Sequence, residues 1–308
     1  MPLDRYDWIA KAQILTYEEI GRIARIFAGL GVRKVRITGG EPLLRKDLEE
    51  LVRMLASTEG IDDLCLTTNG YLLGKQAESL RRAGLNRVTV SLDSLDPATF
   101  FKMAQRGNVS TVLEGIAAAR AAGLAPIKIN AVVERGVNDP EILDLLDYAL
   151  LEGHEIRFIE YMDVGNVNHW TSRKLVSRSE ILDRISPKYP FEAIPGRGSA
   201  PSERYRLLDG SGVFGVIASV TEPFCGACTR ARITADGRLV TCLFSTSGHE
   251  LKSMLRAGAS DAELRERVAS IWRGRADRYS EQRLVAISSA DGYNPDAVRK
   301  IEMISLGG

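Results

Sequence analysis

The sequence predicts an α/β protein: a partial, TIM-like barrel of parallel βα units followed by a smaller α+β region. Two observations support this. Up to about residue 165, short apolar segments alternate with segments whose apolar residues recur at helical spacing, which is the pattern of a parallel sheet with right-handed crossovers. Beyond that point, loops and short strand-like segments replace the alternation. We therefore expect two regions, residues 1–165 and residues 166–308.

The first elements have clear local signals. Thr16 and Glu19 have the spacing of a capping box, apolar residues at helical spacing follow them, and Gly31 is placed to end the helix. The segment KVRIT is a short buried strand, and the turn GGEPL follows it. The next helix is predicted to begin at Asp47.

The same βα unit repeats along the first half. It predicts a helix that ends near Gly84, and further helices around 109–122 and 139–151. The predicted parallel strands number five: 34–38, 63–68, 87–92, 127–133 and 155–162.

The second half is less regular. The segments YRLLD, VFGVIASV, ARITAD and RLVTCL have the length and composition of short strands, and we expect them to pair antiparallel. Helices are predicted near 249–257 and 260–275. An irregular tail that ends in two glycines is expected after them.

The overall charge excludes some functions. The chain has 41 Lys and Arg against 40 Asp and Glu, a net charge of +1, which argues against a nucleic-acid binder that depends on bulk positive charge. No apolar run approaches the roughly 18 residues that a bilayer span needs, and the N-terminus lacks an apolar signal core. We therefore expect a cytoplasmic protein that binds neither nucleic acid nor membrane.

The strongest chemical signal is the spacing Cys225-x2-Cys228-x13-Cys242. Two thiols on one tight loop and a third on a nearby strand end can converge on one metal centre, and either zinc or an iron–sulfur cluster suits thiolates. Three ligands leave one coordination position open to a small molecule. Cys65 is either a fourth ligand or a buried core residue, and its place in the middle of a strand favours the core.

Polar residues at the strand ends indicate a second site. Gly39 and Gly40 directly follow a strand, so the backbone there is either open to a ligand or simply turns tightly. Other polar positions lie at or near strand C-termini, where each is a cap or a site residue: Thr67, Ser91, Asp93, Lys128, Asn130, Glu160 and Met162. A lysine inside the apolar strand IKINAVV is hard to explain as core, so together these positions favour a site on one rim.

Arg230 and Arg232 directly follow the second cysteine of the loop. On a strand, their spacing puts both guanidinium groups on one face. Such a pair suits phosphate oxygens, although two solvated arginines would show the same spacing.

The motifs RITGGEPLLRKDL, LTTNG, VSLD, RFIEYMDVGN and FCGACTRARITADG, together with the Gly-Gly end, resemble the GTP 3′,8-cyclases. These are radical S-adenosylmethionine enzymes of molybdenum-cofactor biosynthesis, and the resemblance implies a partial barrel of the radical S-adenosylmethionine type. It implies that one 4Fe-4S cluster cleaves S-adenosylmethionine to a radical that abstracts the 3′ hydrogen of GTP. The ribose radical then closes onto guanine C8, while a second 4Fe-4S cluster holds the guanine.

The resemblance also implies roles for individual residues. The ligands of the second cluster would be Cys225, Cys228 and Cys242. The S-adenosylmethionine contacts would be Gly40, Ser91 and Met162. The GTP contacts would be Arg36, Thr67, Lys128, Arg230, Ala231 and Arg232. Gly307 and Gly308 would reach into the active site and support the radical chemistry. An electron donor and a downstream cyclic pyranopterin monophosphate synthase would be functional partners, and a homodimer is a family-level expectation.

One departure from the family pattern stands out. The family binds its radical-generating cluster through C-x3-C-x2-C, which the printed sequence lacks, together with the first barrel strand and an upstream arginine that contacts GTP. From this we expect the chain as printed to be inactive, and a start codon assigned too late or a truncated sequence explains it better than a dead paralogue. The alternatives are another radical S-adenosylmethionine enzyme with an auxiliary cluster, and a zinc- or cluster-stabilised nucleotide-binding paralogue.

Overall fold

The computed structural model describes residues 9–166, 170–196, 198–288, 293–295, 297 and 299–306. The five strands predicted for the first half are all present, within one or two residues of the expected bounds. They are β1 Lys34–Ile37, β2 Asp63–Thr68, β3 Arg87–Ser91, β4 Lys128–Val133 and β5 Glu155–Glu160.

Helices connect these strands. They are α1 Tyr17–Gly29, α2 Leu48–Ala56, α3 Leu73–Arg82, α4 Pro97–Ala104, α5 Val109–Ala121 and α6 Ile142–Leu151. The predicted capping box is confirmed at α1, where the side chains of Thr16 and Glu19 each accept from the other's backbone N–H. The predicted start of α2 is wrong by one residue, because Asp47 has a φ of 55° and its side chain makes no capping bond.

The second half adds strands and helices. The strands are β6 Phe191–Ile194, β7 Glu203–Leu207, β8 Val213–Ile217, β9 Arg232–Ile233, β10 Arg238–Val240 and β11 His249–Glu250. The helices are α7 Arg178–Ile185, α8 Lys252–Arg256, α9 Asp261–Arg273, α10 Tyr279–Ser288 and α11 Met303–Leu306. The expectation of an irregular tail is therefore wrong over α10 and α11.

Eight strands form one open sheet in the order β1-β2-β3-β4-β5-β8-β7-β6, with β1 and β6 at its edges. The expectation that β8 pairs only antiparallel is wrong. It lies parallel to β5 and antiparallel to β7, because α7 and the β6–β7 hairpin carry the chain back to the starting end of β5. Six consecutive parallel strands confirm the partial, unclosed barrel. Strands β9 and β10 pair antiparallel, as predicted, and β11, which lies where the start of a helix was predicted, adds a third strand to this separate sheet.

The two faces of the large sheet differ in character. Residues paired in register share a face, and one face carries Leu66, Val88, Ile129 and Phe158, all buried in the main apolar core with the helices. The opposite face carries mostly polar and charged side chains, and that face holds the candidate site. Within the described part of the chain, no helix is both long and apolar enough to cross a membrane.

Candidate functional site

The polar face of the sheet brings two of the predicted GTP contacts together. Arg36 Nη1 on β1 donates to Thr67 Oγ1 on β2 at 2.9 Å. Lys128 begins β4, so the expectation that it lies at a strand C-terminus is wrong. Its side chain faces the same side of the sheet, and its Nζ lies 2.6 Å from Oε1 of Glu155, which begins β5. Burial lowers the pKa of Lys128, and Glu155 opposes that shift. The position of a lysine in this apolar strand is therefore explained in part by an ion pair with the neighbouring strand, which the sequence around Lys128 does not indicate.

Arg157 lies on the same face and was missed at the sequence level. Its side chain is only 6% exposed, Nη2 donates to Thr89 Oγ1 at 3.3 Å, and Nε has no hydrogen-bond partner among the described residues. Burial, followed by the positive charge of Arg36, lowers its pKa to about 10. A signal was present, since Arg157 alternates with Glu155 in the strand EIRFIE.

Arg232 connects this face to the cysteine loop. Burial lowers its pKa, the nearby charges of Arg230 and Arg36 lower it further, and the Cys242 and Cys228 thiols oppose the shift. The charges that influence Arg232 therefore come from both the polar face and the cysteine loop.

Arg230 precedes β9 rather than lying on it, so strand geometry does not align it with Arg232. Its Nη2 donates to Cys228 Sγ at 3.1 Å, and its guanidinium lies 5.1 Å from the Phe224 ring centroid. Ala231, between the two arginines, packs against the small apolar cluster that includes Leu239.

The three clustered cysteines lie on two neighbouring segments. Cys225 begins a single 3-10 turn, and Cys228 N donates to Cys225 O at 3.1 Å. Burial alone would raise the pKa of Cys228, but the Arg230 backbone N–H and the Arg275 guanidinium lower it. Burial raises the pKa of Cys242, the Phe244 backbone N–H opposes that shift, and the charges of Asp277, Cys225 and Cys228 raise the pKa further.

This donor set fits an iron–sulfur cluster in chemistry. Three thiols with arginine donors to one sulfur are the ligand type and outer-shell bonding that such clusters use. The described residues contain no group of three or more histidine, cysteine or acidic side chains placed to hold a metal ion.

The predicted S-adenosylmethionine contacts share the carboxyl edge of the sheet. Gly40 follows β1, Ser91 ends β3 and Met162 lies just beyond β5. Glu41 joins the first loop to the second, because its carboxylate accepts from Thr68 Oγ1 and from the next backbone N–H, both at 2.8 Å. Burial raises the pKa of Glu41. The common edge agrees with the prediction, and direct contact with the cofactor stays a prediction.

The remaining predicted residues separate into two cases. Gly307 and Gly308 lie outside the described residues. Cys65 is fully buried on β2, with Sγ 3.5 Å from Val35 O, so the prediction of a buried residue is confirmed. Its register with Arg36 places the side chain on the polar face rather than in the main apolar core. Apart from Cys225, Cys228 and Cys242, the described residues provide no thiol set for a cluster.

Comparison with known proteins agrees with this arrangement. Residues 5–149 match the model of the radical SAM superfamily, and residues 154–281 match the model named Molybdenum Cofactor Synthesis C. The GTP 3′,8-cyclase of Acidothermus cellulolyticus is 48% identical over 98% of this chain and 89% of its own length. The chain belongs to the GTP 3′,8-cyclase family. The Xanthomonas axonopodis pv. citri member is 45% identical over 100% of this chain and 91% of its own.

A solved structure supports the fold alone. SuiB of Streptococcus suis, solved with bound S-adenosylmethionine, superposes with a TM-score of 0.51 at 17% identity. The match covers 74% of this chain and 53% of SuiB, so the chain spans about half of that protein.

Proposed function

We propose that this protein converts GTP to (8S)-3′,8-cyclo-7,8-dihydroguanosine 5′-triphosphate, the first step of molybdenum-cofactor biosynthesis. The observation that carries the proposal is that Arg36 and Arg157, on the polar face of the large sheet, lie close enough for the charge of Arg36 to lower the pKa of Arg157, and that Arg36 and the cysteine loop both influence the pKa of Arg232 on β9. Family membership supplies the reaction, and this proximity explains how this chain would hold the substrate.

The cationic face suits the triphosphate. Guanidinium groups bind phosphate oxygens through paired hydrogen bonds, and burial strengthens each bond. Arg157 is the most deeply buried of these groups and has an unpartnered Nε among the described residues. Thr67 accepts from Arg36 and so limits the orientations of its guanidinium. Lys128 would exchange part of its ion pair with Glu155 for a phosphate oxygen.

The cysteine loop suits the base. We assign Cys225, Cys228 and Cys242 as ligands of a 4Fe-4S cluster, which when bound would offer an open iron to the guanine. The hydrogen bond from Arg230 to Cys228 Sγ would stabilise the thiolate form. The triphosphate would then bind at the cationic face, and the guanine base would bind at the cysteine loop.

The remaining roles concern S-adenosylmethionine, the terminal glycines, the partners and the location of the protein. We assign Gly40, Ser91 and Met162 to S-adenosylmethionine, and Gly307 and Gly308 to the same active site. The expected partners are an electron donor, the downstream cyclic pyranopterin monophosphate synthase and a second copy of the chain. A cytoplasmic location would keep the cysteines reduced.

The first experiment is anaerobic reconstitution with iron and sulfide, followed by metal analysis and calorimetric titration with GTP. We expect about four irons per chain, as one cubane requires, and saturable GTP binding. Cys225→Ala should lose both, whereas Cys65→Ala, which removes a buried thiol outside the loop, should retain both. Because the printed sequence lacks the C-x3-C-x2-C motif, incubation of this chain with GTP, S-adenosylmethionine and dithionite should give no cyclised nucleotide by mass spectrometry, so cluster and GTP binding are the readouts that test the proposal.

Other outcomes would contradict the proposal in distinct ways. Stoichiometric zinc without iron would favour a zinc-stabilised nucleotide-binding protein. Four irons without GTP affinity would favour a radical S-adenosylmethionine enzyme that acts on another substrate.

A further inference from the structure

A buried polar cluster lies outside the proposed GTP site. We call it the Asp163 hub, and it consists of Asp163, Tyr279, Arg283, Tyr293 and Lys300. Asp163 follows directly after Met162 in the loop beyond β5, and its side chain is only 1% exposed. All four of its partners come from residues 279–300, near the end of the chain.

Two cations meet this single carboxylate. Arg283, with a side chain that is 0% exposed, donates to Asp163 Oδ1 and to the Ser219 carbonyl. Lys300 Nζ lies 2.9 Å from Asp163 Oδ2 and 3.0 Å from Asp163 O. The hydroxyls of Tyr279 and Tyr293 also donate to Oδ2.

Aromatic rings complete the surroundings of the buried arginine. The Arg283 guanidinium lies 4.8 Å from the centroid of the Phe244 ring, which stacks on the Tyr279 ring at 4.7 Å and 13°. Phe244 lies two residues after Cys242. The hub therefore reaches the segment that carries the third clustered cysteine.

The C-terminal segment, residues 299–306, has a second set of ties to the same loops. Asn166 Nδ2 donates to Lys300 O at 2.8 Å, and Lys300 N donates back to Asn166 Oδ1 at 2.9 Å. Ile301 N donates to Ser245 O at 3.0 Å. The segment thus joins the loop after β5 to the loop after Cys242.

We propose that Asp163 is a positioning residue that docks the C-terminal segment onto these two loops. Among the described residues, Lys300 is the charged partner of Asp163 that comes from the segment itself, since Arg283 belongs to α10. A second charged residue of the segment, Glu302, accepts hydrogen bonds from Asn166 N and Nδ2. The docking does not depend on the proposed function, because it involves only side chains described above.

The test is hydrogen–deuterium exchange without GTP or S-adenosylmethionine, comparing the wild type with Lys300→Met and Lys300→Arg. Lys300→Met keeps the ion pair between Asp163 and Arg283 and the hydrogen bonds between Asn166 and Glu302, but removes the charge by which the segment pairs with Asp163. We expect amides in 299–306 to exchange at least about tenfold faster in Lys300→Met, because local opening becomes easier. Lys300→Arg keeps the charge and should restore slow exchange. Lys188→Met, which breaks an exposed ion pair with Asp147, is the matched control and should change nothing there.

The amides of α9 report whether the fold survives. If they also exchange faster in Lys300→Met, Tyr293→Phe replaces it, because that variant removes one hydrogen bond to Asp163 and no charge. We then expect about threefold faster exchange in 299–306 alone. Unchanged exchange of the segment, or equally fast exchange in Lys300→Arg, overturns the proposal. Because no substrate is present, such a failure leaves the proposed function standing.

Discussion

Two buried arginines of this protein have opposite surroundings. Arg283 meets the Asp163 carboxylate, the Ser219 carbonyl and the face of an aromatic ring, all from its own chain. Arg157 meets one hydroxyl at 3.3 Å, with the charges of Arg36 and Glu155 nearby, and it makes no direct ion pair among the described residues. The Nε atoms of both arginines lack a hydrogen-bond partner there, so the two differ in their counter-charge. Since an uncompensated buried charge is costly, the direct pair with Asp163 makes Arg283 a structural element of the fold. Arg157 is best explained as part of a site that awaits an anion.

The difference shows how burial alone fails to separate structure from function. Both side chains are more than nine-tenths buried. What separates them is whether the protein supplies the opposite charge, and substitutions at each site test that distinction.

The largest effect is expected for Asp163→Asn. It leaves Arg283 and Lys300 buried without a counter-charge, so the free energy of unfolding should fall by about 3–5 kcal/mol. Urea unfolding measures this loss. Asp147→Asn, which removes an exposed partner of Lys188, is the control and should cost at most about 1 kcal/mol. A loss below that level at Asp163 would show that the hub does not stabilise the fold.

Lowering the pH should also remove the stabilisation that the ion pairs of Asp163 provide. Burial alone would raise the pKa of Asp163, but Arg283, Tyr293 and Lys300 lower it to about 2 from an ordinary 3.8. Its contribution is therefore complete above about pH 4 and is lost as the pH falls toward about 2, which amounts to about 2.5 kcal/mol. Urea unfolding across this range should show a smaller loss in Lys300→Met, and identical pH profiles would contradict the assignment.

Arg157→Met should lower the affinity for GTP and leave the free energy of unfolding almost unchanged. It removes a poorly compensated charge, so the free energy of unfolding should change by less than about 1 kcal/mol. GTP affinity should fall at least about tenfold, or about 1.4 kcal/mol. Calorimetry measures the affinity. Arg204→Gln is the control, because Arg204 is a half-exposed arginine that shares the Glu155 carboxylate with Lys128. Equal affinities in the wild type and Arg157→Met would remove Arg157 from the site.

The smallest effect is expected for Glu155→Gln. The Glu155 carboxylate competes with phosphate for Lys128 across 2.6 Å, so its neutralisation should tighten GTP binding about threefold, which is below 1 kcal/mol. Competitive titration against a fluorescent nucleotide resolves such a change. Weaker binding would instead show that the carboxylate is needed to orient the lysine.

Much of the fold was predictable because its signals are local. The capping box at Thr16 and the alternation of strands and helices up to Glu160 depend on neighbouring residues. The direction of β8 was not predictable, because β8 takes its place from non-local pairing with β5 and β7. Glu155 as the partner of Lys128 was missed for the same reason, since 27 residues separate the two.

The cysteine spacing, the strand-end polar residues and the family motifs by themselves determined which chemistry to expect, because each is a short pattern of residue types. Only the tertiary structure decided which charges are compensated. Sheet register places Arg157 on the polar face near Arg36, whereas the chain's return to the β5 loop gives Arg283 the carboxylate of Asp163. Charge compensation depends on distances in space between residues far apart in sequence, and no local pattern contains that information.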